Sequence, residues 1–309
     1  MSTRAGILSC IGNTPLVRLE AVVPGGCAEV WLKLEGGNPT GSYKDRMALS
    51  IVRSAMERGE LRAGERVVEY TGGSTGMALS FVCAVTGLKF AAVSSDAFAA
   101  SKLAGIRAFG GELLIERSEG GAITPALMQR MKERAHALAK EPGSYYANQF
   151  GSPYVPAGYQ SMGREIAQAL DGRVDALCAG VGTGGALMGT FDGLAASGAA
   201  PRAWALEPLQ SPLLTEGRGG AHKVEGIGVG FEPPFLDRSR LAGIRAIDQE
   251  EAFVMCRRLA REEGIFSGAS TGLNVVGAIE LARELGPGKR VVTLACDSGL
   301  KYLGGHLFP

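Results

Sequence analysis

Nothing in this chain is spaced to hold a metal. It has only three histidines (His136, His222 and His306), and none stands at ligand distance in sequence from another histidine or from a cysteine. The six cysteines (Cys10, Cys27, Cys83, Cys178, Cys256, Cys296) include no CxxC pair. Cys83, Cys178 and Cys296 fall in apolar stretches, where a thiol serves as a small core residue. A net charge of +1 excludes the strong basic or acidic balance that draws nucleic acid or anionic membrane at long range. No apolar run reaches the length of a bilayer span, and the opening residues carry no charged-then-apolar leader pattern. A soluble, cytoplasmic protein is expected. Internal repeats and low-complexity tracts are missing too, so the 309 residues suit one large or two modest globular domains.

Glycine is in excess: 46 residues, about twice the average share. Many cluster between apolar stretches, as tight turns and ligand loops require. Strand-like runs at Val30–Leu34, Arg66–Tyr70, Lys89–Val93, Glu112–Ile115, Ala176–Ala179, Ala203–Glu207 and Arg290–Ala295 alternate with helical patterns. The helices are expected at Lys44–Arg58, Thr75–Val85, Ser101–Phe109, Ile123–Leu138, Gly163–Leu170, Gly185–Leu194, Glu250–Glu263 and Thr271–Leu285, with Asp248 and Glu251 forming a capping-box-like start. This alternation predicts an α/β fold of two open, twisted, mostly parallel sheets flanked by helices on both faces. Such sheets bind ligands beyond the carboxyl ends of their strands, here in a cleft between two layered units. Glu141–Ser152 is the expected crossover between halves.

Three segments carry chemistry. Gly180–Gly185 reads GVGTGG, a G-x-G-x-x-G loop between strand and helix, where glycines let the backbone approach an anion and helix amides donate to it. A dinucleotide site would add an acid about twenty residues on, at a strand end, and Glu207 meets that requirement, so NAD stands as an alternative ligand. Thr71–Gly76 (TGGSTG) offers hydroxyls and free amides at a helix start, a combination suited to a carboxylate. Lys44, in LEGGNPTGSYKDR, sits where a turn-rich loop becomes a helix. A lysine shielded from water there loses its proton more readily and becomes a nucleophile towards aldehydes.

LEGGNPTGSYKDR resembles the lysine segment of the fold type II pyridoxal-phosphate enzymes, in the branch of cysteine synthase and cystathionine β-synthase. IGNTPLVRL, EYTGGSTG, VGTGGALMG, EGIGVGF and GIFSGASTG are similar to further segments of that family, in its order and spacing. The resemblance implies a homodimer with a smaller domain, 39–146, inserted into a larger one of 1–38 and 147–309. It implies pyridoxal 5'-phosphate bound to Lys44 as a Schiff base, with its phosphate on Gly182, Thr183, Gly184 and Gly185. Ser74 and Ser270 would face the ring, Ser270 at the pyridine nitrogen. Thr71, Gly72, Gly73, Thr75, Gln149 and Gly226 would bind an amino-acid substrate. Ser74 and Ala186 depart from the family's usual asparagine and threonine. Asp297 and Ser298 are added near the ring, and Tyr159 receives no role. The implied activity is β-replacement, with O-acetylserine and sulfide giving cysteine. Alternatives are another β-replacement with a phosphoserine or serine donor or a thiol, cyanide or amine acceptor, or a serine/threonine dehydratase. An NAD-dependent oxidoreductase and a non-catalytic binding protein complete the set.

Overall fold

A computed structural model of the chain describes residues 6–121, 124–305 and 307–308. They form two compact units. The larger takes Gly12–Tyr43 and the chain from Tyr159 onward; the smaller takes Lys44–Gly158 and the residues up to Ile11, against the 39–146 implied by resemblance.

The larger unit begins with β1 (Leu16–Arg18) and β2 (Glu29–Leu34). The chain then enters the smaller unit through α1 (Lys44–Glu57), β3 (Arg66–Tyr70), α2 (Ser74–Thr86), β4 (Lys89–Ser95) and α3 (Ala100–Ala108). That unit continues with β5 (Glu112–Glu116), α4 (Pro125–Ala139) and β6 (Ser144–Tyr146), and α5 (Tyr154–Ala169) leads out of it. The larger unit resumes with β7 (Ala176–Gly180), α6 (Gly185–Ala196), β8 (Arg202–Pro208), α7 (Leu213–Glu216) and β9 (Gly243–Ile247). It closes with α8 (Gln249–Glu262), α9 (Ala269–Leu285) and β10 (Arg290–Ala295).

In the smaller unit four parallel strands lie in the order β5-β4-β3-β6. In the larger, six lie in the order β1-β2-β10-β7-β8-β9, all pairs parallel except β1 with β2. Central parallel strands are covered on both faces, so their sequences run apolar without alternation; β7 (ALCAG) is buried at every residue. In the smaller unit Val68, Ala91 and Val93 pack against Leu127, Met131 and Ala135, which stand four residues apart on one face of α4. α2 and α9 are apolar nearly all round and largely buried, as helices enclosed in a core must be.

β3 and β10 occupy the residues expected, and most other elements shift by one or two at their ends. α5 is the exception: it starts at Tyr154, nine residues before Gly163. Pro156 lies in its first turn, where the missing N–H leaves no bond unmade. Its glycines are there for contact: a Cβ on Gly163 would stand 2.1 Å from the Thr190 carbonyl oxygen of α6. The Glu141–Ser152 stretch holds β6, and β1 and β9 are further short strands without a strong apolar signal. Asp248 does cap α8, its carboxylate accepting the Glu250 N–H at 2.6 Å. Ile123 lies outside the described residues. Among the described residues no helix is long and apolar enough to cross a membrane.

Candidate active site

In the smaller unit β3 ends at Tyr70 and α2 begins at Ser74, so Thr71–Gly73 turns across the carboxyl end of the sheet. Backbone and hydroxyl bonds tie this turn to β4: Thr71 N–H donates to Val93 O at 3.0 Å, and Ser94 Oγ to Thr71 O at 2.7 Å. The Thr71 hydroxyl oxygen accepts the amides of Gly73 (3.1 Å) and Gly76 (3.3 Å). Gly73 has φ +146°, a conformation reserved for glycine, and a Cβ there would meet the Lys102 stem at 2.7 Å. Gly72 lies under the Phe98 ring, 2.6 Å from where its Cβ would be. Gln149 docks on the same loop. Its Oε1 accepts the Thr75 hydroxyl at 2.8 Å, and its Nε2 donates to Tyr70 O at 3.0 Å. The geometry thus gathers Thr71, Gly72, Gly73, Ser74, Thr75 and Gln149 at the N-terminal end of α2, where amide dipoles favour an anion.

Lys44 is the first residue of α1, half-buried, and α1 packs on α2. The helix is anchored by buried Met47, Ala48, Ile51, Val52 and Ala55, so its first residue starts from a fixed backbone. On the larger unit's side of this junction, Tyr43 N–H donates to Cys296 O at 3.0 Å and Ser42 bridges to Asp297.

Glu69 was not among the expected site residues. It is fully buried, and its carboxyl oxygens accept the backbone N–H groups of Tyr70 (3.0 Å) and Gln149 (2.8 Å). Burial pushes this carboxyl up to about 8, opposed by those amide bonds.

In the larger unit Gly180 closes β7 and Gly185 opens α6. Gly182 passes so close to the neighbouring segment that a Cβ would stand 2.4 Å from Gly226 O. Gly184 has φ +82° and would meet Leu236 N at 2.8 Å. Thr183 Oγ1 accepts the Gly185 N–H at 3.2 Å, while Thr183 O and Val181 O hold Phe235 N and Gly228 N at 3.0 Å each. Asn274, buried in α9 and also unforeseen, accepts Gly180 N–H on Oδ1 at 2.6 Å and donates from Nδ2 to Leu294 O at 2.8 Å. Ser270 is buried one turn before Asn274 on the same helix. Ala186 is half-buried in the first turn of α6.

Three further residues have local structural partners. Asp297 Oδ2 accepts the Tyr302 hydroxyl at 2.7 Å, Ser298 Oγ accepts the Leu300 N–H at 3.3 Å, and Tyr159 packs its ring against Tyr43. Glu207, the acid that made a dinucleotide site conceivable, is occupied. Its carboxylate accepts Leu214 N (2.8 Å), Thr215 N (2.8 Å) and Thr215 Oγ1 (2.7 Å), so it caps α7. Cys83, Cys178 and Cys256 are buried free thiols pushed up to about 12, hence unreactive core residues. Among the described residues no group of His, Cys, Asp and Glu could hold a metal ion.

A family model described as pyridoxal-phosphate dependent enzyme matches residues 7–297. The chain is 37% identical to the cysteine synthase of Staphylococcus aureus over 304 residues, 98% of this chain and 96% of that one. An O-ureido-L-serine synthase structure is similar with a TM-score of 0.89 and 36% identity, covering 98% of this chain and 94% of its own. An O-acetylserine dependent cystathionine β-synthase from Helicobacter pylori matches at TM-score 0.89 and 31% identity, with 98% of both chains covered. The residues present fit the cofactor: a phosphate needs a loop with few side chains at a helix N-terminus, and Gly182, Gly184 and Gly185 supply it at the start of α6. With one loop shaped for a phosphate and a lysine at the head of a fixed helix, this chain belongs to the pyridoxal-phosphate dependent enzymes, and pyridoxal phosphate is its cofactor.

Proposed function

We propose that this enzyme replaces the β-substituent of an O-activated serine, with O-acetylserine and sulfide giving cysteine as the favoured reaction. The observation that carries the proposal is the Thr71–Gly76 loop with Gln149 docked on it: a polar, hydrogen-bonded turn at the N-terminal end of α2, whose dipole favours an α-carboxylate. Full-length similarity to a cysteine synthase supports the choice of reaction.

Pyridoxal phosphate, when bound, supplies an electron sink for charge developing at the substrate's α-carbon. Gly182, Thr183, Gly184 and Gly185 would hold its phosphate, and Lys44 its aldehyde carbon. Ser270 would meet the ring nitrogen with a neutral hydroxyl, which favours elimination and replacement over transamination. Ser74, shorter than asparagine, would face the ring hydroxyl, and Ala186 would leave the phosphate one hydroxyl contact fewer. Thr71, Gly72, Gly73, Thr75 and Gln149 would fix the substrate carboxylate, with Gly226 along the substrate's side. Lys44, as a free amine, would take the α-proton as general base and return it after the nucleophile adds at the β-carbon. A cytoplasmic homodimer is part of the same proposal, the dimer being testable by light scattering.

Similarity to an O-ureido-L-serine synthase at nearly the same identity supports a second reading, in which another nucleophile replaces sulfide. Incubation with O-acetylserine, with and without sulfide, separates the possibilities. The proposal expects cysteine formed in step with acetate release and dependent on sulfide. Pyruvate release indifferent to sulfide would establish a dehydratase instead, and cysteine absent while another acceptor is consumed would establish the second reading.

A further inference from the structure

Glu69 is an acid where a central parallel strand calls for an apolar residue. It stands on β3 between Val68 and Tyr70, fully buried, and among the described residues no cation pairs with it. A buried acid without a counter-charge destabilises a fold unless it has hydrogen bonds to make. Both of its bonds lead to the carboxylate loop. Oε1 accepts Tyr70 N–H at 3.0 Å, and Oε2 reaches across eighty residues of sequence to Gln149 N–H at 2.8 Å. The Gln149 side chain returns to Tyr70 O at 3.0 Å, closing a ring of bonds on which the Thr75 hydroxyl also rests. Asn148, just before Gln149, has φ +51°, the left-handed turn that brings Gln149 back to β3.

We infer that Glu69 is a positioning residue: its carboxyl group holds the Gln149 turn against β3 and so keeps Gln149 and Thr75 in place at the N-terminal end of α2, where the substrate carboxylate binds. The inference rests on the amino-acid chemistry proposed above. It also explains why an acid is tolerated beneath an anion site. Burial keeps the Glu69 carboxyl protonated at neutral pH, and the titratable groups that face it, the phenols of Tyr70 and Tyr146, are pushed upward by burial and stay neutral as well. Above about pH 8 an ionised Glu69 would set a negative charge under the site and weaken carboxylate binding.

The test uses cofactor-loaded wild type and Glu69→Gln. Each is titrated with L-alanine, which has no β-leaving group, and with ethylamine, which has no carboxylate, by the visible spectrum of the cofactor. KM and kcat for O-acetylserine are measured from pH 6 to 9.5. Glu69→Gln should keep the cofactor spectrum and a kcat within about threefold of wild type, while KM and the L-alanine dissociation constant rise roughly tenfold or more. Wild type should lose L-alanine affinity above about pH 8 more steeply than ethylamine affinity. Unchanged KM in a folded Glu69→Gln, or a fall in kcat at constant KM, overturns the inference. Should the variant not fold, the wild-type profile decides: parallel pH dependence for the two ligands overturns it. A wild type that answers to neither ligand overturns the amino-acid reading of the site, and this inference with it.

Discussion

Replacing Glu69 by glutamine should invert the order of stability of the two proteins as pH rises. The folded carboxyl titrates at about 8 against 4.5 in the free group. A raised folded value means that the folded chain holds the proton while the unfolded chain gives it up. The stabilisation is therefore complete below pH 4.5 and is lost as pH climbs to about 8. At about 1.4 kcal/mol per pH unit the loss has a ceiling of roughly 5 kcal/mol. Glutamine does not titrate, but its NH₂ cannot accept either the Tyr70 or the Gln149 amide, so one of the two bonds is lost. That costs about 1–3 kcal/mol at every pH. Wild type should be the more stable protein near pH 5, the curves should cross about one to two units above 4.5, and Glu69→Gln should be the more stable at pH 8 and beyond. Urea unfolding followed by fluorescence, at intervals from pH 5 to 9, measures the difference directly. A wild-type-minus-variant difference that does not change with pH would refute the reasoning, since it would mean that Glu69 is ionised in both states.

Gly182→Ala should reduce cofactor affinity at least about tenfold, because its Cβ would press on the Gly226 backbone oxygen 2.4 Å away; cofactor retention after dialysis, read by absorbance, checks this. Glu207→Ala should cost about 1–3 kcal/mol in urea unfolding, since the Leu214 and Thr215 amides lose their acceptor, and NADH should bind neither protein. Met131→Ala, which empties the centre of the apolar face of α4 against β3 and β4, should cost about 2–5 kcal/mol and lower the unfolding midpoint without altering KM.

Much of this molecule could be read from its residues, and the exceptions share a physical cause. β3 and β10 were legible because apolar runs end abruptly at glycine or polar residues, which local sequence records. The glycine loops were legible because strand, turn and helix follow one another within a few residues. The start of α5 was not, since a proline and two glycines look like breakers until α6 is seen to approach within contact of Gly163. Glu207 illustrates the opposite error. Its spacing satisfied a rule for dinucleotide sites, yet its carboxylate is spent on the amides that begin α7. Glu69 and Asn274 had no local signal at all. Each is a polar residue in an apolar element, and its purpose lies in bonds to segments distant in sequence.

The most direct test of the account is to find which side chain carries the cofactor. Borohydride trapping of the loaded enzyme, followed by peptide mass mapping, should place the phosphopyridoxyl mass on the peptide holding Lys44, with no labelling in Lys44→Ala. A label on buried Lys33 or Lys102 instead, or a wild type that takes none, would contradict it.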